Sequence, residues 1–344
     1  MTPTAVIQTK QGIGDTIWHL PFIRAIAAAS PGGKVTFFTL PSSHAAEFLS
    51  AESCIARIVY YENRGSEITR GLHLLRFIGL LRRERFDTVW ILEKSVRPAL
   101  AAWVARIPNR IGPGLGPQSP FISNAGIDRR HQYDMTVEYM TALLKAIGVP
   151  LATTEPNLQL PAEPIATVRG RYAGKARPWI VLALSGSHPA KDWPDPYWIE
   201  FIAAVRARTP GTVFIIGGAD QHARADALIA QTSGAVAVNA CDLSIVEAAA
   251  LLRESDLFVG PDSGPMNLAA AVGTPAFGLF GATIVLSYSK FIHPIVPPSG
   301  KFDPDGGMLQ ILPARVIELV APHLTVTKAT PAGDTISLQQ APSR

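Results

Sequence analysis

The sequence predicts an α/β protein built of two doubly wound parallel-sheet domains that face each other across a cleft. Its 344 residues are too many for one ordinary hydrophobic core, so two domains are expected. Short β-branched or aromatic runs alternate with longer Ala- and Leu-rich runs, a pattern typical of parallel βαβ units. A Pro-rich interval at 150–178 interrupts this alternation, which then restarts. We therefore expect a first domain at 1–160, a linker at 161–178, a second domain at 179–324 and a disordered tail at 325–344.

Each apolar run rich in β-branched or aromatic residues is predicted to be a strand, and the runs between them are predicted to be helices. The predicted strands are Ala5–Gln8, Val35–Thr39, Ile58–Tyr60, Thr88–Leu92, Ile180–Leu184, Val213–Ile216, Val236–Val238, Leu257–Val259 and Ala276–Phe280. The predicted helices are Thr16–Ala29, Gly71–Arg85, Pro98–Ala105, Thr136–Ile147, Tyr197–Arg208, Gln221–Gln231, Ile245–Arg253 and Pro265–Val272. Residues 165–172 are compatible with one more short helix inside the Pro-rich interval.

The composition excludes several classes of protein. A net charge of +4, without a clustered basic stripe, suits an anionic small molecule or membrane surface better than nucleic acid. The two cysteines, Cys54 and Cys241, are far apart, which argues against a disulfide scaffold or a cysteine zinc site. No histidine or aspartate spacing indicates a metal site. No signal peptide or long apolar run is visible, so a cytoplasmic protein is expected.

The first loop that could carry catalytic or binding residues follows the first predicted strand and extends from Lys10 to Thr16. Gly12 and Gly14 begin a dinucleotide-binding GxGxxG pattern, but Ile17 replaces the third glycine, and no acidic residue ends the second strand. A dinucleotide site is therefore disfavoured. Asp15 is either a helix N-cap or a general base at a cleft-facing loop, and both interpretations stay open.

Two loops of the second half carry candidate ligand groups. Ser187 and Lys191 follow the first strand there and suit phosphate oxygens, by hydrogen bond and by charge. Taken alone, a solvated loop lysine is the favoured interpretation of Lys191. Asp220 follows the glycine pair that ends the next strand. It either accepts hydrogen bonds from ribose hydroxyls or caps a helix.

The segment Pro261–Thr283 combines an apolar strand, an Asp-Ser-Gly turn and an Ala-rich helix. Free backbone N–H groups and the helix dipole make such a helix N-terminus a ready anion-binding site. A site of this kind in the second half of an α/β chain predicts a phosphorylated ligand.

Taken in order, these motifs resemble glycosyltransferase family 9, the lipopolysaccharide heptosyltransferases. The resemblance covers roughly residues 5–320, and its most specific pieces are IGDTIWHLP and FVGPDSGPMNLAAAVGTPAFGLFG. It implies the GT-B fold, in which two Rossmann-like domains face a cleft. It also implies transfer of a heptose from ADP-heptose to lipopolysaccharide core, with inversion and without a metal or other cofactor.

The same resemblance assigns roles to residues. Asp15 matches the catalytic base, Lys191 the lysine that neutralises the donor diphosphate, and Ser187 its neighbouring hydroxyl. Asp220 matches the acidic residue on the ribose, and Leu243 an apolar cover for adenine. The Asp-Ser-Gly turn that holds the phosphates and the sugar corresponds to Asp262, Ser263 and Gly264.

The sequence also departs from the family pattern. Asn267 stands where the family usually has histidine and is retained as a donor-side candidate. Residues 282–285 replace a Pro-Thr-Asp-Pro segment, and the acceptor loop reads Ile-Leu-Glu-Lys at 91–94, with Arg97 at a lysine position. Gly14, Lys94 and Arg97 are the acceptor-side candidates. Another nucleotide sugar, a protein acceptor, an inactive nucleotide-binding homologue and a Rossmann oxidoreductase or epimerase remain alternatives.

The arginine-rich stretch Arg70–Arg85 allows two interpretations. Leu74, Phe77, Ile78 and Leu81 form one helical stripe beside five arginines. The stripe belongs either to a helix that packs on the core with a solvated basic face, or to a peripheral contact with anionic lipid that carries a glycolipid acceptor.

Overall fold

A computed structural model describes residues 3–232, 237–286 and 288–325 of the chain. They form two domains, each with one parallel sheet: five strands in order 3-2-1-4-5 and six strands in order 11-10-9-6-7-8. The predicted fold class is confirmed. Of the expected features, Val236 and residues 326–344 of the tail lie outside the described residues.

The first domain alternates strands and helices from the start of the described chain. Its strands are β1 (Thr4–Ile7), β2 (Val35–Thr39), β3 (Ile55–Tyr60), β4 (Thr88–Ile91) and β5 (Asn109–Ile111). Its helices are α1 (Ile13–Ala28), α2 (Ala45–Phe48), α3 (Glu67–Glu84), α4 (Val96–Val104) and α5 (Thr136–Ile147). Helix α1 buries side chains on all sides, including Ile17, Leu20 and Phe22, which fixes it at the centre of the molecule.

The second domain repeats the pattern. Its helices are α6 (Ala162–Arg171), α7 (Asp195–Arg206), α8 (His222–Gln231), α9 (Ile245–Glu254), α10 (Gly264–Ala271) and α11 (Pro313–Val320). Its strands are β6 (Trp179–Ala183), β7 (Thr212–Ile216), β8 (Ala237–Asn239), β9 (Leu257–Pro261), β10 (Ala276–Leu279) and β11 (Ile292–Ile295). Helix α1 packs against α10, and one buried hydrophobic cluster extends through both domains.

The short helix that the sequence allowed at residues 165–172 is present in the Pro-rich interval, and it begins earlier than expected, at Ala162. Helix α6 begins after Pro161 and tolerates Pro164 because the first turn of a helix needs no partner for its N–H groups. It buries Val168 and packs on α9, so residues 162–171 cover the second domain.

The arginine-rich helix α3 packs on the core of the first domain. Phe77, Ile78 and Leu81 are buried and Leu74 is half-buried, in a cluster that also contains Phe38 and Ala99. This stripe therefore serves packing, the first of the two interpretations.

Both sheets reverse their strand order at one point, between β1 and β4 in the first and between β6 and β9 in the second. Ligands of open parallel sheets bind beyond the carboxyl ends of the strands at such a switch point. The loops after these four strands are the ones on which the sequence places Asp15, Glu93, Lys191 and Asp262.

Candidate active site

A cleft of about 570 Å³ lies between the two domains and is lined by turns from both. Residues from α1 and its preceding loop form one wall, and the turns after β6, β7 and β9 form the other. Nine of the twelve predicted site residues line it: Gly14, Asp15, Ser187, Lys191, Asp220, Asp262, Ser263, Gly264 and Asn267. Gln11, Trp18, Ser185, Gln221 and Leu286 also line the cleft and were missed from the sequence.

Asp15 lies in the first turn of α1, where the chain turns sharply out of β1. Gly12 permits this turn because its φ of 97° lies in the left-handed region. Gly14 permits a close approach of α1 to α10, since a Cβ there would collide with the amide of Asn267. Within the described part of the chain, the Asp15 carboxylate has no hydrogen-bond partner, so it remains available to a ligand hydroxyl.

Burial raises the pKa of Asp15 above the ordinary aspartate value. The charge of Asp262 across the cleft raises this pKa further, whereas Lys10 and Lys191 lower it. A half-buried carboxylate with a raised pKa and a free lone pair is suited to general base catalysis. These influences also show that the two walls of the cleft are within electrostatic reach of each other.

The second wall presents a paired carboxylate. Lys191 Nζ donates to Asp262 Oδ2 at 2.7 Å and to the Asp262 carbonyl oxygen at 3.1 Å. Thr283 Oγ1 donates to the same Oδ2 at 3.0 Å. Asp262 is therefore held in place after β9, and it fixes the Lys191 ammonium group at the cleft. Thr283 belongs to the segment where the sequence departs from the family, and this contact gives it a structural role.

Ser263 lies at the N-terminal end of α10. It occupies the N-cap position, but its side chain makes no capping hydrogen bond, and its buried Oγ has no partner among the described residues. The first N–H groups of a helix also lack intrahelical partners. A buried hydroxyl and a helix N-terminus beside Lys191 are groups of the kind that can hydrogen-bond to phosphate oxygens.

A side-chain network holds the remaining turns of this wall. Arg224 donates to Ser185 Oγ and to Asp192, and Asp192 accepts from the backbone N–H of Gly186. Ser185 Oγ in turn donates to Gln221, whose amide donates to Asp220 at 2.8 Å. The network fixes the loop that carries Ser187, which is exposed to the cleft, and it presents the Asp220 carboxylate at its edge.

A second carboxyl group, Glu93, lies buried beneath the loop that follows β1. It accepts from the backbone N–H and the hydroxyl of Thr9 and from the N–H of Lys10. Burial raises the pKa of Glu93 to about 7, and the Asp15 charge contributes to the rise. In the sequence, Glu93 appears only as part of the acceptor-loop motif at 91–94, and no role is predicted for it. Its position just after the apolar run at 88–92 is the signal for a buried carboxyl at the switch point.

His19 completes this buried arrangement. Its Nδ1 lies 2.7 Å from the carbonyl oxygen of Asp15, and burial lowers the pKa of the ring to about 4. The neutral ring must therefore carry its proton on Nδ1, because a carbonyl oxygen only accepts. Its other nitrogen, Nε2, has no partner within the described chain and lies 3.7 Å from Glu93 Oε1.

Asn267 forms a contact between the domains. Its Oδ1 accepts from Trp18 Nε1 at 3.1 Å, and its Nδ2 donates to the Ser263 carbonyl oxygen at 2.9 Å. The Trp18 ring also packs edge-on against Tyr288 of the second domain. Asn267 thus joins the helix of Asp15 to the turn of Ser263, although it also lines the cleft.

The other three predicted site residues lie outside the cleft lining. Lys94 Nζ donates to three backbone carbonyl oxygens between His131 and Asp134, which ties it to a loop of its own domain. Arg97 lines a separate cavity of about 260 Å³ in the first domain. Leu243 is half-buried against the hydrophobic core, just before the capping box that begins α9.

No cluster of three or more His, Cys, Asp or Glu side chains that could hold a metal ion occurs within 3–232, 237–286 and 288–325. In the same ranges, no helix combines the length and the apolar character needed to cross a membrane.

Two facing parallel-sheet domains with a polar cleft between them define the GT-B class of fold. The chain matches Glycosyltransferase family 9 (heptosyltransferase) over residues 74–293, which is more than half of its length. It belongs to this family, and the resemblance predicted from the motifs is confirmed.

Similar proteins share a moderate fraction of identical residues with this chain. Lipopolysaccharide heptosyltransferase 2 of Salmonella typhimurium is 25% identical over 58% of this chain, and the match spans 61% of that protein, less than two thirds of its length. Lipopolysaccharide heptosyltransferase 1 of Pseudomonas aeruginosa is 26% identical over 79% of this chain and 76% of its own. The structure of Escherichia coli ADP-heptose lipopolysaccharide heptosyltransferase II has a TM-score of 0.73 at 21% identity, covering 94% of this chain and 98% of that one.

Proposed function

We propose that this chain is an inverting glycosyltransferase that transfers a heptose from ADP-heptose to lipopolysaccharide core. One observation carries the proposal: the half-buried Asp15 carboxylate, which has no hydrogen-bond partner in the described part of the chain, shares a cleft with the Lys191–Asp262 pair. One wall can take a proton, and the other can take the negative charge of a departing diphosphate.

The reaction follows from this division. An acceptor hydroxyl gives its proton to the Asp15 carboxylate while its oxygen forms a bond to the anomeric carbon of the donor sugar. The bond from that carbon to the diphosphate oxygen breaks, and the nucleoside diphosphate leaves with the electron pair. Attack from the face opposite the leaving group inverts the anomeric centre.

The donor side is built for leaving-group charge. The ammonium group of Lys191, the hydroxyl of Ser263 and the N-terminal N–H groups of α10 converge on one region of the cleft. Fixed cations and N–H donors stabilise charge that develops in a transition state. These groups support a metal-independent transfer. The Escherichia coli relative is named for ADP-heptose, and this name supports ADP as the nucleotide, with Asp220 as a ribose ligand.

The acceptor side is proposed to extend into the first-domain cavity that Arg97 lines. Arg70 and His73 line the same cavity, and Arg70 Nε and His73 Nδ1 are buried without partners among the described residues. Thr9 and Ser95 connect this cavity with the loop above Glu93. Arginines beside apolar walls suit an acidic sugar, whose carboxylate or phosphate group would accept a hydrogen bond from Arg70 Nε.

A nucleotide panel followed by a transfer assay tests the proposal. Thermal stabilisation by ADP, UDP, GDP, CMP and dTDP is compared at equal concentration, and ADP is expected to stabilise most. ADP-heptose and heptose-free lipopolysaccharide core are then incubated with the protein, with and without a chelator, and product is detected by mass spectrometry. We expect transfer in both conditions, and NMR of the product should show an inverted anomeric centre. Stabilisation by UDP or GDP alone, or ADP binding without transfer, would contradict the proposal.

A further inference from the structure

Helix α3 presents a second apolar stripe on the face that points away from the core. Ile68, Leu72 and Leu75 have 80%, 53% and 65% of their surface exposed. Their spacing of i, i+4 and i+7 aligns the three side chains on one face, opposite the buried Phe77 and Leu81. Large apolar side chains that are grouped and exposed indicate a surface that is covered by a partner.

The same exposed face is cationic in its second half. Arg76, Arg82 and Arg83 are exposed, and Arg82 also donates to the Val104 carbonyl oxygen of the neighbouring helix. The two acidic residues of α3 are already paired, Glu67 with Arg70 and Glu84 with Arg57. The face therefore combines an apolar half with a net positive half.

We propose that this face of α3 docks on the surface of an anionic lipid bilayer. The helix would lie in the plane of the interface, with Ile68, Leu72 and Leu75 inserted among the acyl chains. Arg76 and Arg83 would contact lipid phosphate groups. A positive, amphipathic helix face is attracted to anionic lipids by charge and held by burial of its apolar side chains. A protein partner with a matching acidic surface or a second copy of this chain would compete for the same face.

Docking would also orient the site. Helix α3 contributes Arg70, His73 and Leu74 to the first-domain cavity, so the cavity would lie beside the lipid surface. This consequence rests on the proposed function, because it assumes that the acceptor is a glycolipid. The docking itself does not depend on transfer and is measured separately.

Vesicle co-sedimentation tests the proposal with the full chain. Phosphatidylglycerol–phosphatidylcholine vesicles are compared with pure phosphatidylcholine vesicles, at low and high salt. The double variant Leu72→Gln/Leu75→Gln is compared with Leu309→Gln/Leu312→Gln, in which two leucines of the second domain are exposed to a similar extent, 55% and 53%. If the first pair folds poorly, the exposed pair Arg76→Gln/Arg83→Gln replaces it.

We expect salt-sensitive binding of the wild type to the anionic vesicles, and at least a tenfold loss in the α3 leucine variant, roughly as apolar burial predicts. The second-domain variant should bind like the wild type. The arginine variant should lose affinity for anionic vesicles by about tenfold or more. Transfer to a soluble, acyl-free acceptor should be unchanged in each, and its absence in the wild type would count against the proposed function only.

Equal binding of both leucine variants, or no binding by the wild type, would overturn the docking proposal. So would an α3 leucine variant that changes the oligomeric state of the protein in sedimentation equilibrium but not its vesicle binding. That result would assign the face to a second copy of the chain.

Discussion

The two helix-initiating turns at the cleft use the same residue type for opposite purposes. In the first domain, Asp15 stands in the first turn of α1 with its carboxylate unpartnered among the described residues. In the second domain, Asp262 precedes α10 and is held by Lys191 and Thr283. The role of each aspartate is therefore set by its environment and not by its residue type: one carboxylate can take a proton, whereas the other positions a cation.

On the second-domain wall of the cleft, removal of the Lys191 ammonium group should have the largest effect on ADP binding. In Lys191→Met, ADP loses a charge-assisted contact, and its Kd should rise by roughly 10- to 100-fold. The loss should also raise the pKa of Asp15, because Lys191 lowers that pKa across the cleft. The acid limb of the kcat/KM pH profile should therefore move to higher pH.

Calorimetry and the pH profile measure the two effects together, with Lys301→Met as a control, since Lys301 is an exposed lysine outside the cleft lining. An unchanged ADP affinity in Lys191→Met would contradict the proposal that Lys191 on the second-domain wall binds the diphosphate.

The buried Glu93 and His19 side chains of the first domain should make the free energy of unfolding depend on pH. Folding raises the pKa of Glu93 from 4.5 to about 7, so its contribution to the free energy of unfolding is lost as pH rises through that window. His19 acts in the opposite sense, because folding lowers its pKa from 6.5 to about 4 and its stabilisation is complete only above 6.5. The two contributions largely offset each other in the wild type.

The variant Glu93→Gln removes only the first contribution. The free energy of unfolding of the variant minus that of the wild type should therefore increase by about 2 kcal/mol when the pH is raised from about 5 to about 7.5. Urea unfolding at both pH values measures the difference, and Glu200→Gln, at an exposed position of α7, is the control. A stability difference that does not change with pH would show that Glu93 is ionised in the native protein throughout this range.

The smallest effect should come from Ser263, whose buried hydroxyl lacks a partner within the described residues. Ser263→Ala should weaken ADP binding by about fivefold, the value of one hydrogen bond, while the unliganded protein stays as stable or gains about 1 kcal/mol. Ser255→Ala is the matched control, because the buried Ser255 hydroxyl donates to the Leu251 carbonyl oxygen. It should lose stability and keep its ADP affinity, which can be followed by thermal unfolding with and without ADP.

The sequence could predict the repeated part of the fold, because buried strands of a parallel sheet are continuous apolar runs. The predicted bounds of β2 and α5 agree with the structure. It did not predict β5 or β11, which are short and contain Asn109, Arg110 and Pro294, residues that are uncommon in buried strands. The sequence allowed a helix only at residues 165–172, because the prolines at 161 and 164 obscure the start of α6 at Ala162.

The site divides in the same way. Turn motifs are local in sequence, so the sequence alone predicts Asp15, Lys191 and Asp262 as site residues. Contacts that depend on how the two domains pack cannot be predicted from the amino-acid sequence alone. Asn267 is the example, because its partner Trp18 lies 249 positions away in the sequence. Lys94 is another example: its place in the acceptor-loop motif predicts an acceptor-side residue, but its contacts with three carbonyl oxygens depend on a loop about 40 positions further along the chain.

The central claim is that Asp15 takes the proton of the acceptor hydroxyl. The most direct measurement is the pH profile of transfer by Asp15→Asn, with ADP affinity determined on the same protein. We expect turnover to fall by a factor on the order of 10² to 10⁴, the acid limb to disappear and the Kd for ADP to change by less than about twofold. Asp87→Asn, at the opposite end of the first sheet, should behave like the wild type. Turnover near the wild-type value with the acid limb retained would contradict the assignment.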